Sequence, residues 1–397
     1  MDSRLIGLEI KNFRSLADVR LKLGPLNLLF GPNGSGKSNL LDAIWFVRDC
    51  TVHGVDLASS SRDHGIGMLW DRADEGDNTS VKIETRTTKY EVSFDYSSGR
   101  IKPYAGETLL FDGQNTPLID RNVGSDTAFL YHDKKQESLK FSLREPEKLS
   151  LSRYLDFDNS FKGPVELDNL LHQTRFYHSR AVNLNILKRR GSDISHHTFL
   201  FDKCQNLWSV LQNLLGRRIV DNRFETIMGF MKKAFPNFRG VLIEPTSPSS
   251  VYCSFVEEGR RQPIAASGVS DGHIQMIALL TALFSEGKER DSLILFDEPE
   301  ISLHPYALAV FAEAVELATK EWNKQVLIAT HSPVLISQFE PENILAVELG
   351  EQGQTVVTRV SDMEDIKDLL EQYAVGSLYM AEAIAAQSKS LAAKGGL

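Results

Sequence analysis

Eight consecutive residues, Gly31, Pro32, Asn33, Gly34, Ser35, Gly36, Lys37 and Ser38, form the pattern G-x-x-x-x-G-K-S. Glycines at these places let backbone N–H groups close around a phosphate, and the start of a helix adds the positive end of its dipole. Lys37 is then placed to reach the β- and γ-phosphates, and the Ser38 hydroxyl to bind Mg²⁺. The pattern needs a strand before it and a helix behind it. Leu26–Phe30 is an apolar run of strand length, and Asn39 opens a stretch to Val47 with apolar positions at helical spacing. The combination predicts a site for a nucleoside triphosphate with Mg²⁺, contacted by residues 31–39.

Such a site needs carboxylates from a neighbouring strand. Leu293–Phe296 is apolar and ends in Asp297 and Glu298. Asp297 would hold the metal, and Glu298 would take the proton of the attacking water. Gln325–Ala329 is a third apolar strand and leads to His331, placed to contact the γ-phosphate and the water. In parallel α/β sheets such groups emerge together at the carboxyl ends of the strands. The expected catalytic pair is therefore Glu298 and His331, with Ser38 and Asp297 as metal ligands.

The 397 residues suffice for one large domain with an insertion, or for two domains. No apolar run approaches the roughly 20 residues of a membrane span. The three widely spaced cysteines fit no zinc pattern, which together with a start lacking a secretion signal gives a cytoplasmic expectation. The net charge of −9 disfavours a uniformly basic nucleic-acid binder, yet residues 172–240 carry twelve Lys/Arg against four acids. That local surface, with Lys188, Arg189, Arg190, Arg217 and Arg218, could meet a phosphate backbone or simply be a solvated helical face.

The set Gly31–Ser38, Val269–Gly272, Leu293–Glu298, Ser302–Pro305 and Ala329–Ser332 resembles the Walker A, signature, Walker B, D-loop and H-loop of ABC-type ATPases. Ile10–Ser15 and Ser38–Ile44 resemble the RecF/SMC branch in particular. Within it the chain is similar to the bacterial ATPases grouped as AAA family, RecF-like, relatives of the OLD-family ATPase domain. The signature departs from the common L-S-G-G-Q at Val269, Asp271 and His273 but keeps Ser270 and Gly272. The resemblance implies that Ser270, Asp271 and Gly272 bind the γ-phosphate of ATP held by a second subunit, so that ATP is sandwiched in a homodimer or higher homo-oligomer. It also implies that Arg14 and Ser15 lie near the nucleotide. The family's Q-loop glutamine has no clear counterpart; Gln173 is the candidate.

The fold class expected is α/β: a P-loop ABC-type ATPase head, its mixed sheet flanked by helices, with a β-rich and a helical insertion and no long coiled coil. The head would comprise 1–50 and 241–360, a loop plus β-rich subdomain 51–148, a basic helical lobe 149–240, and C-terminal helices 361–397. OLD-family nucleases continue into a TOPRIM domain, whereas 66 residues follow His331 here, so a nuclease or toxin effector is expected on a separate polypeptide. The leading expectation is an ATP-dependent dimeric switch in a DNA-associated or anti-phage defence complex. Alternatives are a RecF-type repair ATPase binding DNA directly and an ATP-stabilised scaffold.

Overall fold

The computed structural model describes residues 4–74, 76–363, 374–381 and 384. A hairpin of β1 (Gly7–Phe13) and β2 (Leu16–Lys22) leads into β3 (Leu26–Phe30), the glycine loop and α1 (Lys37–His53). The other elements that position the site are β4 (Arg175–His178), α2 (Leu184–Arg189), α3 (Asp271–Phe284), β5 (Ser292–Asp297), α4 (Pro305–Glu321), β6 (Lys324–Thr330), β7 (Ile344–Leu349) and β8 (Thr355–Arg359).

The central sheet runs β4-β5-β6-β3-β7-β8, parallel throughout except for the last pair. Every residue of β3, β5 and β6 is buried, which is why these strands read as mostly apolar runs without alternation. Alternate residues serve two layers. Leu28, Ile294, Phe296 and Ile328 pack with α3 and α4, while Leu29, Leu293, Leu295 and Ala329 pack with α1. α1 and α4, the longest described helices, have 17 residues each, and no described helix is long and apolar enough to cross a membrane.

Beneath α1 lies an antiparallel eight-stranded sheet. Six of the strands within 79–142, expected as a β-rich subdomain, continue the β1–β2 hairpin in this one sheet, while 96–97 and 100–101 pair as a separate two-stranded ribbon. Its link to the following helices is a fully buried ion pair, Glu107–Arg121. Glu107 also accepts hydrogen bonds from the Tyr90 hydroxyl and the Ser150 backbone N–H, and Arg121 donates to Pro146 O, Lys148 O and Ser125 O. Removing one member leaves the other charge buried and alone. Glu107→Ala is expected to cost about 3–5 kcal/mol, read as a shift of the urea midpoint, and a loss below about 1 kcal/mol would mean the pair is dispensable.

Residues 149–240 are not a lobe of helices alone. β4, from the middle of the stretch, forms the edge of the central sheet beside β5. Its four residues Arg-Phe-Tyr-His carry no apolar run, so periodicity could not announce it. Helices at 207–216 and 223–234 bury Trp208, Leu211, Ile227 and Met231 in the same core as α3 and α4. The strands 238–247 and 250–257, expected in the head, form a small separate sheet with 192–193 and 264–265. The expected C-terminal helices fall largely outside the described residues; Val375–Met380 is helical.

Candidate nucleotide site

Gly36 ends the loop at φ +103°, a conformation that only glycine adopts freely, and a Cβ there would lie 2.0 Å from Thr355 Oγ1. That closeness belongs to a brace. Asn39 donates from Nδ2 to Ser15 Oγ (2.8 Å), the Ser15 and Thr355 hydroxyls are 2.7 Å apart, and the Thr355 hydroxyl donates to Ser35 O (2.8 Å). Ser15 therefore stands against the loop, tied to Asn39 and Thr355. Thr355 comes from β8, 320 positions beyond Ser35, and nothing in its local sequence marks it. Arg14 pairs with Asp42 on α1 at 2.9 Å.

Lys37 is buried, and its ammonium donates to Gly31 O and Pro32 O, both at 2.8 Å. Burial lowers its pKa, while Asp297, Glu298 and Glu300 oppose that shift. The exposed Ser38 hydroxyl donates to Asp297 Oδ1 at 3.1 Å, and burial pushes the Asp297 carboxyl up against the pull of that bond and of His178. Two hard oxygens beside a phosphate loop, one on a carboxylate whose charge is costly when alone, fit Mg²⁺. This ion takes few protein ligands and completes its shell with phosphate oxygens and water.

Glu298 follows β5 at φ +53°, with its N–H on Ala329 O at 2.8 Å. His331 Nδ1 lies 3.8 Å from Glu298 Oε1 and 3.3 Å from Glu300 Oε1. Glu300 Oε1 accepts from the Thr330 hydroxyl (2.8 Å) and the His331 N–H (3.0 Å), which fixes the turn carrying the histidine. Glu300 was absent from the sequence-based set, although it sits two residues beyond Glu298. Lys37, Ser38, Asp297, Glu298 and His331 thus converge at the carboxyl ends of β3, β5 and β6.

Ser270 stands apart from this group. It caps α3, is exposed, and its hydroxyl is 2.7 Å from His273 Nδ1. His273, where the common signature has glutamine, stacks on Phe235 with ring centres 3.9 Å apart, and burial lowers its pKa. Gly272 is needed for space, since a Cβ would meet Ser302 O at 2.6 Å. Asp271 pairs with Lys188 Nζ at 2.5 Å, and the same ammonium donates to Val269 O. Lys188 is thereby withdrawn from the expected nucleic-acid surface, whereas Arg189, Arg190, Arg217 and Arg218 are exposed.

Gln173 does not reach the site. β4 runs parallel to β5 with His178 opposite Asp297. Gln173 caps the end of the helix 162–172 ahead of β4, at the amino end of the strand, whereas Asp297 lies opposite its carboxyl end. The residues that do arrive beside the Walker B carboxylates are His178, with Nδ1 3.6 Å from Asp297 Oδ2, and Arg180, whose Nε donates to Glu298 Oε2 at 2.7 Å. Both escaped the sequence reading because a strand of four residues gave no signal to place them.

Residues 26–337 match the family described as "AAA domain, putative AbiEii toxin, Type IV TA system". The chain belongs to this family. This AAA-domain chain is 22% identical over 385 residues to the OLD nuclease of Thermus scotoductus, covering 94% of this chain and 67% of that protein. It is 24% identical over 399 residues to the Old nuclease of Escherichia phage P2, covering 93% and 63%. The chain thus spans about two thirds of the length of these relatives. A RecF protein of Actinobacillus pleuropneumoniae is 32% identical over 199 residues, 48% of this chain and 44% of that one. The fold is similar to that of an SMC head bound to the C-winged helix domain of ScpA, with a TM-score of 0.56 at 15% identity, covering 90% and 98%. The AAA-domain chain is therefore an ABC-type ATPase of the RecF/SMC kind, related to OLD.

Proposed function

We propose that this chain binds ATP with Mg²⁺ and hydrolyses it slowly as a dimeric switch. Water attacks the γ-phosphorus, its proton passes to Glu298, and the bond to the β-phosphate oxygen breaks with its electron pair leaving on ADP. Lys37 neutralises the charge that develops and His331 contacts the γ-phosphate; Ser38 and Asp297 would hold Mg²⁺, which would supply further charge neutralisation at the phosphates. The observation that carries the reading is the convergence of Lys37, Ser38, Asp297, Glu298 and His331, with the exposed Ser270 left outside it. A second copy, offering Ser270 across the bound ATP, completes the site. Hydrolysis per subunit should therefore rise with protein concentration before it levels off. Activity per subunit that stays constant down to nanomolar protein would defeat the composite site.

We assign the output of the switch to an effector on another polypeptide, a nuclease or toxin in a DNA-associated or defence complex. Support comes from the toxin–antitoxin description of the family and from the OLD nucleases among its relatives. DNA contact is carried by Arg189, Arg190, Arg217 and Arg218, all exposed. Reversing Arg189 and Arg190 to Glu should weaken ATP-dependent DNA binding and flatten its dependence on salt by about two phosphate contacts. An unchanged salt slope would remove these residues from the interface. Reversing Lys188 tests something different, since it breaks the tie to the signature loop.

A further inference from the structure

We propose that Arg180 senses the γ-phosphate: it holds Glu298 when no triphosphate is present and transfers to the phosphate when one binds, freeing the base. The inference rests on the ATPase reading above. Arg180 follows β4 on the short turn Ser179–Ala181, whose position is set by the pairing of His178 with Asp297. Its Nε donates to Glu298 Oε2, and no other bond of Arg180 is found among the described residues. Both terminal NH₂ groups are thus unengaged.

Other arginines in this chain show what a structural role looks like here. Arg62 bonds Asp42, Asp49, Ala58 O and Ser61, and Arg223 bonds Asp221 and Ser285 O. Both side chains are about nine-tenths buried, whereas that of Arg180 is 64% exposed. The two partners of the Arg180 pair differ in freedom. Glu298 is mostly buried, and its backbone N–H is fixed on Ala329 O, while Arg180 can swing into solvent.

Exposed single ion pairs are weak and easily exchanged. A terminal phosphate offers two oxygens in the spacing of a guanidinium fork, and its charge exceeds that of a carboxylate. The bond from Arg180 occupies Oε2 of Glu298 and fixes the carboxylate's orientation, so its release frees the group to turn toward the attacking water. The exchange therefore couples the presence of the γ-phosphate to the availability of the base, and ADP, lacking that group, leaves Arg180 on Glu298.

The test compares binding of Mg²⁺-ADP and of a Mg²⁺-bound non-hydrolysable ATP analogue to the full chain, by calorimetry, in wild type and Arg180→Ala. Wild type should prefer the analogue. Arg180→Ala should lose about 10- to 100-fold in analogue affinity, with ADP affinity within about twofold of wild type. Its hydrolysis should fall and be partly restored by free guanidinium ion, a rescue that a purely structural role would not give. Because the side chain is exposed, the unfolding midpoint should not move. Unchanged discrimination between the two nucleotides in Arg180→Ala would overturn the sensor and leave the ATPase reading standing. Failure of wild type to bind either nucleotide would overturn both.

Discussion

Glu298→Gln is expected to keep ATP affinity near that of wild type, lose about 10²- to 10⁴-fold in hydrolysis, and accumulate as an ATP-bound dimer. Glutamine has the size of glutamate, so the turn after β5 and its N–H···O bond to Ala329 are retained. What it lacks is a group able to accept the proton of the attacking water. Asp297 and Lys37, proposed to hold the metal and the phosphates, are untouched, so binding and catalysis should separate. If ATP closes two copies around Ser270 and hydrolysis reopens them, blocking hydrolysis must trap the closed form. Light scattering after gel filtration with ATP and Mg²⁺ reads the mass directly. Asp297→Asn should behave differently, losing Mg²⁺-dependent binding as well as turnover. A Glu298→Gln protein that stays monomeric at saturating ATP sinks the sandwich. One that hydrolyses within tenfold of wild type moves the base to His331 or Glu300.

The parts of this molecule that could be read from the sequence are those where one local pattern carries both structure and chemistry. Leu26–Phe30 and Leu293–Phe296 are buried on both faces, so their apolar runs announced the central strands, and Lys37, Ser38, Asp297 and Glu298 follow directly from those strands. The structure brings these residues together through Ser38–Asp297 and through the turn that carries His331. What stayed hidden was built by long-range pairing. Thr355 braces the glycine loop from a strand 320 residues away. β4 is too short and too polar to be seen, so His178 and Arg180 could not be placed, and Gln173 was put forward at the wrong end of the strand. Lys188 read as a free cation because charge counting ignores partners, and its partner is Asp271 in the signature loop.

Lys37→Ala should lower nucleotide affinity by at least about 10²-fold while leaving the fold intact. The ammonium is the cation set among Asp297, Glu298 and Glu300, and it is held on Gly31 O and Pro32 O. Burial works against its charge and lowers its pKa, so a phosphate that restores a full ionic partner gains from a cation already desolvated in place. Without Lys37 no buried cation stands among Asp297, Glu298 and Glu300 to receive the triphosphate, and the Asp297 carboxyl, already pushed up by burial, loses one of the charges that hold it down. Metal and phosphate binding should then fail together. Gly31→Ala provides the contrast, because its Cβ would fall 2.0 Å from Val347 O and must displace the β7 backbone. Equilibrium dialysis with labelled ATP, beside a thermal melt, separates the two. Lys37→Ala should lose binding with a melting temperature near wild type, and Gly31→Ala should lose both. Retention of ATP binding within about threefold in Lys37→Ala would mean that the glycine loop and metal hold the nucleotide without the lysine, and the charge argument for this site would fail.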